Sequence, residues 1–344
     1  MIKVLIVDDS ALIRGLLKEV LEQAQDIQVV GAAEDPYQAR DLIKRLNPDV
    51  LTLDIEMPKM DGLSFLKNLM RLRPMPVVMI STLTQKGSPI TLEALEIGAV
   101  DFIAKPTINV TENLQRYAHL LHQKVRTAAG ARIRAFKELK VEDDSALATL
   151  QFKANSVLAI GASTGGTEAI KEVLVRMPEN CPPIVITQHI PPVFSTSFAM
   201  RMDRTCKINV KEAEHGDKLQ PGWAYIAPGD QHLSVVKKAG GLFCQLDSSE
   251  LVNRHRPAVD VLFNSLVVAC PKATVAALLT GMGSDGAQGL LALNQAGAYT
   301  IAQDELSSVV WGMPKAAVEL NAANEVVRLD KVTAQMLKQA VKVQ

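Results

Sequence analysis

The residues around Ser163 indicate that this side chain could act in covalent chemistry. It lies in the segment Gly161-Ala-Ser163-Thr-Gly165-Gly, which follows an apolar run and precedes a helical pattern. This spacing fits G-x-S-x-G between a strand and a helix, where the turn exposes the serine and the helix N-terminus favours negative charge. The same residues also suit a glycine-rich turn that binds phosphate, or small side chains that only allow close packing. The spacing is not GxGxxG and no GK[ST] follows, so nucleotide binding is the weaker alternative.

A serine nucleophile needs a base, and the base needs a carboxylate that orients it. His189 follows the apolar run PIVITQ, and Asp285 follows the run ATVAALLT within the turn GMGSDG. A lone aspartate in such a turn is more often a turn residue, but the ends of parallel strands meet at one sheet edge, which would bring all three side chains together. The order serine, histidine, aspartate differs from that of α/β-hydrolases, so we expect a triad on another fold. Of the remaining histidines, His119 and His122 are expected to be solvated. Three others lie in turn-like segments and could line a site, although none ends a predicted core strand: His215, His232 and His255.

A second set of polar residues lies near the N-terminus. Asp8 and Asp9 follow the first apolar run, Asp54 ends the third, Ser81 ends the fourth and Lys105 follows the fifth. Three carboxylates at one sheet edge repel one another unless a hard cation such as Mg²⁺ binds there. A lysine and a hydroxyl opposite them suit a phosphoryl group. Each acidic residue taken alone is equally typical of a turn at a strand end.

The elements that must position the N-terminal set alternate between strands and helices. Strands are predicted at residues 3–7, 29–33, 50–53, 77–80 and 102–104. Apolar residues at helical spacing predict helices near 12–21, 36–46, 62–72, 89–97 and 111–125. Five such units predict a doubly wound parallel sheet over residues 1–125.

The rest of the chain divides into a linker and a second sheet domain. Residues 126–152 contain few large apolar groups and are predicted to form the linker. Residues 153–344 return to alternating strands and helices, with an antiparallel insertion expected around 208–247. The predicted fold class is therefore α/β, with two doubly wound, mostly parallel-sheet domains, the second of them Rossmann-like.

Composition argues against several classes of protein. The 344 residues are 48% hydrophobic, 22% charged and 4% aromatic, as in ordinary globular proteins. Lys plus Arg and Asp plus Glu are 37 each, and this balance argues against a nucleic-acid or membrane-surface protein. The 4 cysteines form no CxxC pair, which favours free thiols in a reducing compartment. Because no apolar run is long enough to span a bilayer, we expect a cytoplasmic protein without membrane insertion.

Four segments of the N-terminal half, IVDDSALIR, LTLDIEMPKMDGL, IST and DFIAKP, resemble the receiver domain of two-component response regulators. The resemblance covers residues 1–125 and implies a flavodoxin-like fold. It implies that Asp54 accepts a phosphoryl group. The Mg²⁺ ligands that it implies are Asp8, Asp9, Asp54 and the backbone of Glu56. The switch residues that it implies are Ser81, Lys105 and Phe102, the last at a position where many receivers have tyrosine.

Segments of the second half, among them IGASTGGTEAI, NRHRPAVDVLFNS and LLTGMGSDGAQGL, resemble the catalytic domain of the chemotaxis protein-glutamate methylesterases, the CheB family. The resemblance implies Ser163 as nucleophile, His189 as general base and acid, and Asp285 as orienting carboxylate. It implies a glutamate γ-methyl ester on a chemoreceptor as substrate, and deamidation of receptor glutamines in some members. The backbone N–H groups of Thr164 and Met282 are candidates for holding the oxyanion. No cofactor is expected for the ester hydrolysis.

A receiver joined to an esterase implies gating by phosphorylation, with the unphosphorylated receiver covering the active site. The implied partners are methyl-accepting chemoreceptors as substrates and a chemotaxis histidine kinase as phosphodonor. A competing hypothesis is a C-terminal domain that only binds a partner or a nucleotide. A serine peptidase is a weaker one, because no segment resembles a specificity pocket for peptides.

Overall fold

The structure is a computed structural model that describes residues 1–81, 88–105, 111–133 and 150–342, without the side chains of residues 88 and 111–113. The chain divides into two units, Met1–Glu138 and Leu139–Gln344. Residues 134–149, which make up most of the predicted linker, lie outside the described residues.

In the described part of the first unit, five strands form one parallel sheet in the order β2-β1-β3-β4-β5. The strands are β1 (Ile2–Val7), β2 (Ile27–Ala33), β3 (Val50–Asp54), β4 (Val77–Ser81) and β5 (Asp101–Ala104). Every residue of β3 and β4 is buried, which is why these strands read as continuous apolar runs rather than alternating ones. The predicted doubly wound sheet is confirmed.

The helices of the first unit are α1 (Ala11–Glu22), α2 (Pro36–Leu46), α3 (Gly62–Leu72), α4 (Ser88–Ile97) and α5 (Thr111–Ala129). Side chains cap three of them: Ser10, Asp35 and Asp61 accept hydrogen bonds from backbone N–H groups in the first turns of α1, α2 and α3. Helices α2 and α3 have the predicted bounds. Helix α5 continues to Ala129, beyond the residue 125 at which the sequence pattern weakens.

The strands of the main sheet of the second unit are β6 (Val157–Ala162), β7 (Ile184–Gln188), β8 (Asn209–Glu212), β9 (Trp223–Ile226), β12 (Thr274–Leu278), β13 (Tyr299–Gln303) and β14 (Glu325–Val327). Among the described residues they form a parallel sheet in the order β14-β13-β12-β6-β7-β9-β8. The strand β14 was not predicted, because it is three residues long and only partly buried.

The antiparallel insertion is smaller than predicted. Within residues 208–247, all of which the structure describes, only β10 (His232–Lys238) and β11 (Gly241–Asp247) form an antiparallel hairpin. Strands β8 and β9 instead extend the main sheet in the parallel sense. The turns around β9 suggested antiparallel pairing, but β9 lies between β8 and β7 and is parallel to both.

The helices of the second unit are α6 (Gly166–Leu174), α7 (Pro192–Thr205), α8 (Val259–Ala269), α9 (Ala287–Gln295), α10 (Met313–Glu319) and α11 (Leu329–Ala340). One apolar cluster joins β10 and β11 to α8 and α9, with Phe263 and Leu266 fully buried within it. This packing sets the direction of α8, and the first turn of α8 contacts Asp285. Of the helices in the described ranges, none has both the length and the apolar character needed to cross a membrane.

Candidate active site

The sheet order of the second unit explains why three distant residues meet. From β6 the chain moves to β7 on one side and later returns to β12 on the other side of β6. Loops at such a reversal diverge and leave a crevice at the carboxyl ends of the strands. Ser163 follows β6, His189 follows β7 and Asp285 follows β12, so all three lie at this crevice.

The three side chains form an unbroken hydrogen-bonded chain. Ser163 Oγ lies 3.1 Å from His189 Nδ1, and His189 Nε2 lies 2.7 Å from Asp285 Oδ2. An ionised carboxylate can only accept, so Nε2 carries the proton and Nδ1 is free to accept the serine hydroxyl proton. The ring therefore uses the opposite nitrogens from the chymotrypsin-type triad, in which Nε2 faces the serine.

Asp285 is surrounded by donors. Its Oδ2 also accepts the Val259 N–H at 2.6 Å, and its Oδ1 accepts the Asp260 N–H at 3.2 Å. These two N–H groups belong to the first turn of α8, so Asp285 satisfies a helix N-terminus that Ala258 cannot cap with a side chain. Burial acts to raise the pKa of Asp285, but the hydrogen bond and charge interaction with His189, and the hydrogen bonds from Asn253 and Val259, lower it to about 2.

The nucleophile sits in a tight turn. The Gly166 N–H donates to the Ser163 carbonyl at 2.7 Å, and Gly165 has a φ of +75°, a left-handed conformation that favours glycine. The Ser163 N–H donates to the Thr280 carbonyl at 3.0 Å, so this N–H is not available to an oxyanion.

One oxyanion candidate, Thr164, lies within this turn, and the other, Met282, lies beside it. Thr164 is the next residue in the chain, and Met282 follows Gly281, where an added Cβ would lie 2.7 Å from the Ser163 Cβ. Their role in holding an oxyanion stays a prediction.

Three further residues support the triad; the sequence assigned no role to Gln188 or Asn253 and left His255 open as a residue that could line a site. The buried Gln188 donates from Nε2 to the carbonyls of Ser163 and His189, at 2.9 and 3.1 Å. His255 stacks on the His189 ring with 3.7 Å between centroids and 10° between planes. Asn253 donates from Nδ2 to Asp285 Oδ1 at 2.7 Å. The signal for the last two was the segment NRHRPAVD, which carried the family resemblance but no assigned role.

The first unit gathers its polar residues in the same way. Ligand oxygens of Asp8, Asp9 and Asp54 all lie within 4.8 Å of one another, and we call these residues the acidic cluster. Lys105 donates from Nζ to Asp54 Oδ2 at 2.7 Å and lies 3.4 Å from Asp8 Oδ2. The Arg14 guanidinium donates to the carbonyls of Asp8 and Asp9, which holds the loop after β1.

The acidic cluster fits a hard cation. Asp8 Oδ2 is buried and makes no hydrogen bond within the described residues. Burial raises the pKa of Asp8 despite the Ser10 N–H that its carboxylate accepts and the nearby Lys105. Burial likewise raises the pKa of Asp54 to about 6, although Lys105 opposes it. Closely spaced carboxylate oxygens with too few donors are what Mg²⁺ binds and neutralises.

The other predicted receiver residues follow β3 or lie on β4 and β5. The backbone of Glu56, two residues beyond β3, acts to lower the pKa of Asp54. Ser81 ends β4 and its hydroxyl lies 2.8 Å from Thr91 Oγ1 in α4. Phe102 lies on β5, with Lys124 Nζ 5.8 Å from the ring centroid. Switching by Ser81 and Phe102 stays a prediction, as does metal ligation through the Glu56 backbone.

Comparisons with known proteins match both halves of the chain. The family described as CheB methylesterase matches residues 158–336, and the response regulator receiver domain matches residues 4–117. A protein-glutamate methylesterase/protein-glutamine glutaminase 2 of Saccharophagus degradans is 56% identical over 345 residues, 99% of each chain. A protein-glutamate methylesterase/protein-glutamine glutaminase of Nitrosomonas europaea is 52% identical over 355 residues, again 99% of each chain.

A solved structure adds to these matches. The CheB methylesterase catalytic domain of Thermotoga maritima is 40% identical with a TM-score of 0.53, over 54% of this chain and 99% of that one. The relatives of full length agree with the two family matches and with the two sheet domains described above. The chain therefore belongs to the CheB family of protein-glutamate methylesterases/protein-glutamine glutaminases, with a response regulator receiver domain preceding its methylesterase domain.

Proposed function

We propose that this chain is a phosphorylation-activated serine hydrolase that removes γ-methyl esters from chemoreceptor glutamates and also hydrolyses receptor glutamine amides. The observation that carries the proposal is the hydrogen-bonded chain from Ser163 through His189 to Asp285. A buried carboxylate, an imidazole and a hydroxyl in this order are the groups that acyl transfer requires.

The first half-reaction forms an acyl-enzyme. His189 Nδ1 takes the hydroxyl proton while Ser163 Oγ attacks the ester carbonyl carbon. Asp285 stays ionised and stabilises the imidazolium that results. The tetrahedral intermediate then expels methoxide, which receives the proton from His189 and departs as methanol.

The second half-reaction regenerates the serine. A water molecule gives a proton to His189 as it attacks the acyl carbon, and Ser163 Oγ leaves with that proton. The product is the free glutamate side chain. With a glutamine substrate the first leaving group is ammonia, and the later steps are the same.

Developing negative charge on the carbonyl oxygen needs donors. The N–H groups of Thr164 and Met282 flank the nucleophile and are proposed to hold this oxyanion. Removal of one such donor typically costs about 3 kcal/mol of transition-state stabilisation.

The receiver is proposed to control this chemistry. Asp54 would accept a phosphoryl group from a chemotaxis histidine kinase, and Lys105 beside it would stabilise the added charge. Asp8, Asp9 and Asp54, with the Glu56 backbone, would hold Mg²⁺, which would neutralise phosphoryl oxygens during transfer. Ser81 and Phe102 are proposed to respond to the phosphorylated state.

The proposed division of the chain is a receiver over residues 1–125, a linker over 126–152 and a methylesterase domain over 153–344. The two family matches, to residues 4–117 and 158–336, support it. We place the protein in the cytoplasm, where the kinase and the receptor glutamates would be accessible.

The test is methanol release from methylated chemoreceptor membranes, with and without a small-molecule phosphodonor and Mg²⁺. Wild type should release methanol, and the phosphodonor should raise the rate. Ser163→Ala should abolish release, whereas the control Ser234→Ala, a change in the antiparallel hairpin, should not. Asp54→Asn should remove the response to phosphodonor, whereas Asp41→Asn on α2 should keep it.

A serine-directed fluorophosphonate gives an independent readout. It should label wild type at Ser163 and leave Ser163→Ala unlabelled. Labelling that does not depend on Ser163, together with no methanol release, would contradict the proposal and favour a domain that only binds a partner.

A further inference from the structure

Asn253 lies in the loop between β11 and α8, outside the three residues of the triad. We propose that Asn253 is a positioning residue that holds the Asp285 carboxylate in the orientation His189 requires. This role rests on the function proposed above for the triad.

Two buried carboxylates face each other beside the base. Asp260 and Asp285 are 8% and 3% exposed, and the charge of Asp285 contributes to a raised pKa of Asp260, which is mainly due to burial. Asn253 Nδ2 donates to Asp260 Oδ2 and to Asp285 Oδ1, at 2.7 Å each. One neutral amide group therefore supplies a hydrogen to each of two like charges that would otherwise repel.

The other contacts of the Asp285 carboxylate show what the hydrogen bond from Asn253 contributes. Its Oδ2 is occupied by His189 and by the Val259 N–H, at 2.7 and 2.6 Å. Its Oδ1 accepts a longer bond, 3.2 Å, from the Asp260 N–H. The short bond from Asn253 therefore fixes the rotation of the carboxyl group and keeps Oδ2 directed at His189.

Hydrogen bonds from the side chains of His232 and Arg256 hold the loop that carries Asn253. His232 is fully buried; its Nε2 donates to the Glu250 carbonyl at 3.0 Å, and its Nδ1 accepts the Ala258 N–H at 3.2 Å. Arg256 donates to Asp230 and to the carbonyls of Ser248 and Ser249. Because both ends of this loop are anchored, the Asn253 amide is already in place before the reaction begins.

The backbone at this position restricts the residue types that fit. Asn253 has a φ of 51°, in the left-handed region that asparagine, aspartate and glycine tolerate best. Asn253→Asp keeps the shape and the backbone but replaces two donors by a third carboxylate. Asn253→Gly keeps the backbone and removes the side chain without adding charge.

The experiment measures kcat and KM for methanol release from methylated receptor membranes with the full-length chain. At about pH 8, Asn253→Asp should lower kcat about 10- to 100-fold, with KM changed less than about twofold. Asn253→Gly should lower kcat about tenfold. The matched control is Asn180→Asp, in a residue whose amide donates to the Leu150 carbonyl, and it should keep the wild-type kcat.

A second readout separates positioning from a general structural role. A protonated carboxyl group can donate one of the two hydrogen bonds that the Asn253 amide donates, and the carboxylates of Asp260 and Asp285 favour its protonation. Other charged or titratable groups near position 253 include Arg254 and His255 on the same loop and His189 beyond Asp285. The kcat ratio of Asn253→Asp to wild type should therefore rise as pH falls from about 8 to about 5, whereas the ratio for Asn253→Gly should stay constant.

The outcomes are distinct. Wild-type kcat in Asn253→Gly, or a pH-independent ratio for a folded Asn253→Asp, would overturn the proposal. If Asn253→Asp fails to fold, judged by tryptophan fluorescence, Asn253→Gly decides. Loss of the proposed function itself would be seen separately, as wild type that neither releases methanol nor is labelled at Ser163.

Discussion

Asp54 in the receiver and Asp285 in the methylesterase domain are both buried carboxylates at or beyond the carboxyl ends of parallel strands. Their pKa values are nevertheless shifted in opposite directions. Burial raises the pKa of Asp54 to about 6. Burial also acts to raise the pKa of Asp285, but its donors lower it to about 2. The depth of burial, 1% and 3% exposed, cannot account for the difference.

The number of donors explains the contrast. Asp54 accepts a hydrogen bond from Lys105, and Asp8 beside it adds a repelling charge. Asp285 accepts from His189, Asn253 and the two N–H groups that begin α8. A buried acid with few donors is suited to a cation or a phosphoryl group, whereas an acid with a full set of donors remains a fixed anion.

The largest effect that we predict tests Asp285 as a fixed anion. Asp285→Asn should lower kcat about 10³- to 10⁴-fold, because an amide favours the wrong histidine tautomer and cannot stabilise the imidazolium. Steady-state methanol release measures it, and Asp217→Asn, near the hairpin, is the matched control. A loss of kcat smaller than about tenfold would show that Asp285 does not act as a fixed anion beside His189.

The next largest effect concerns the packing that holds the triad. In Gly166→Ala the added Cβ would lie 2.0 Å from Gln188 Oε1, so Gln188 must move away from the carbonyls of Ser163 and His189. We expect the free energy of unfolding of the methylesterase domain to fall by about 2–4 kcal/mol, with a loss of Ser163 labelling. Urea unfolding followed by tryptophan fluorescence measures it, since Trp223 and Trp311 are the two tryptophans of the chain. An unchanged midpoint would contradict it.

The pH dependence of stability gives the third effect. The pKa of Asp285 is lowered from 3.8 to about 2 in the folded state, so its stabilising contribution is complete above about pH 4 and is lost as pH falls toward 2. The contribution is about 2–3 kcal/mol. The stability difference between wild type and Asp285→Asn should therefore shrink as pH falls through this range in urea titrations. A difference that stays constant would mean that the donors do not lower this pKa.

The smallest effect has the opposite sign and lies in the receiver. Gly15 is in the middle of α1, and an added Cβ would meet no heavy atom within 4 Å. Gly15→Ala should stabilise the receiver by about 0.5–1 kcal/mol, because alanine loses less backbone entropy in a helix. Amide hydrogen exchange of β1 and β3 measures it. Destabilisation would show that α1 tolerates a side chain no better than α6 does.

The sequence predicted the strand ends well. Asp8, Asp54 and Lys105, like Ser163, His189 and Asp285, each follow or end an apolar run, and parallel strands bring such positions to one edge. This inference needs no knowledge of strand order, so it succeeded in both domains. The predicted antiparallel pairing was wrong for β8 and β9, because short strands flanked by turn residues do not reveal the edge or the direction in which they pair.

The supporting groups could not be predicted in the same way. Asn253 and His255 belong to a loop whose course depends on His232 and Arg256, and neither residue ends a strand. The N–H groups of Val259 and Asp260 reach Asp285 because the apolar packing of α8 against β10 and α9 sets the helix direction. No local pattern specifies such contacts.

The fold class and the residues proposed to react could be inferred from the amino-acid sequence, because hydrophobic periodicity and strand-end position are local properties. The three-dimensional structure was needed to show which nitrogen of His189 faces Ser163, which donors surround Asp285 and which carboxylate has too few donors. Those features depend on loops and helix termini that are adjacent in space but far apart in the chain, and hydrogen-bond geometry over a few ångströms determines them.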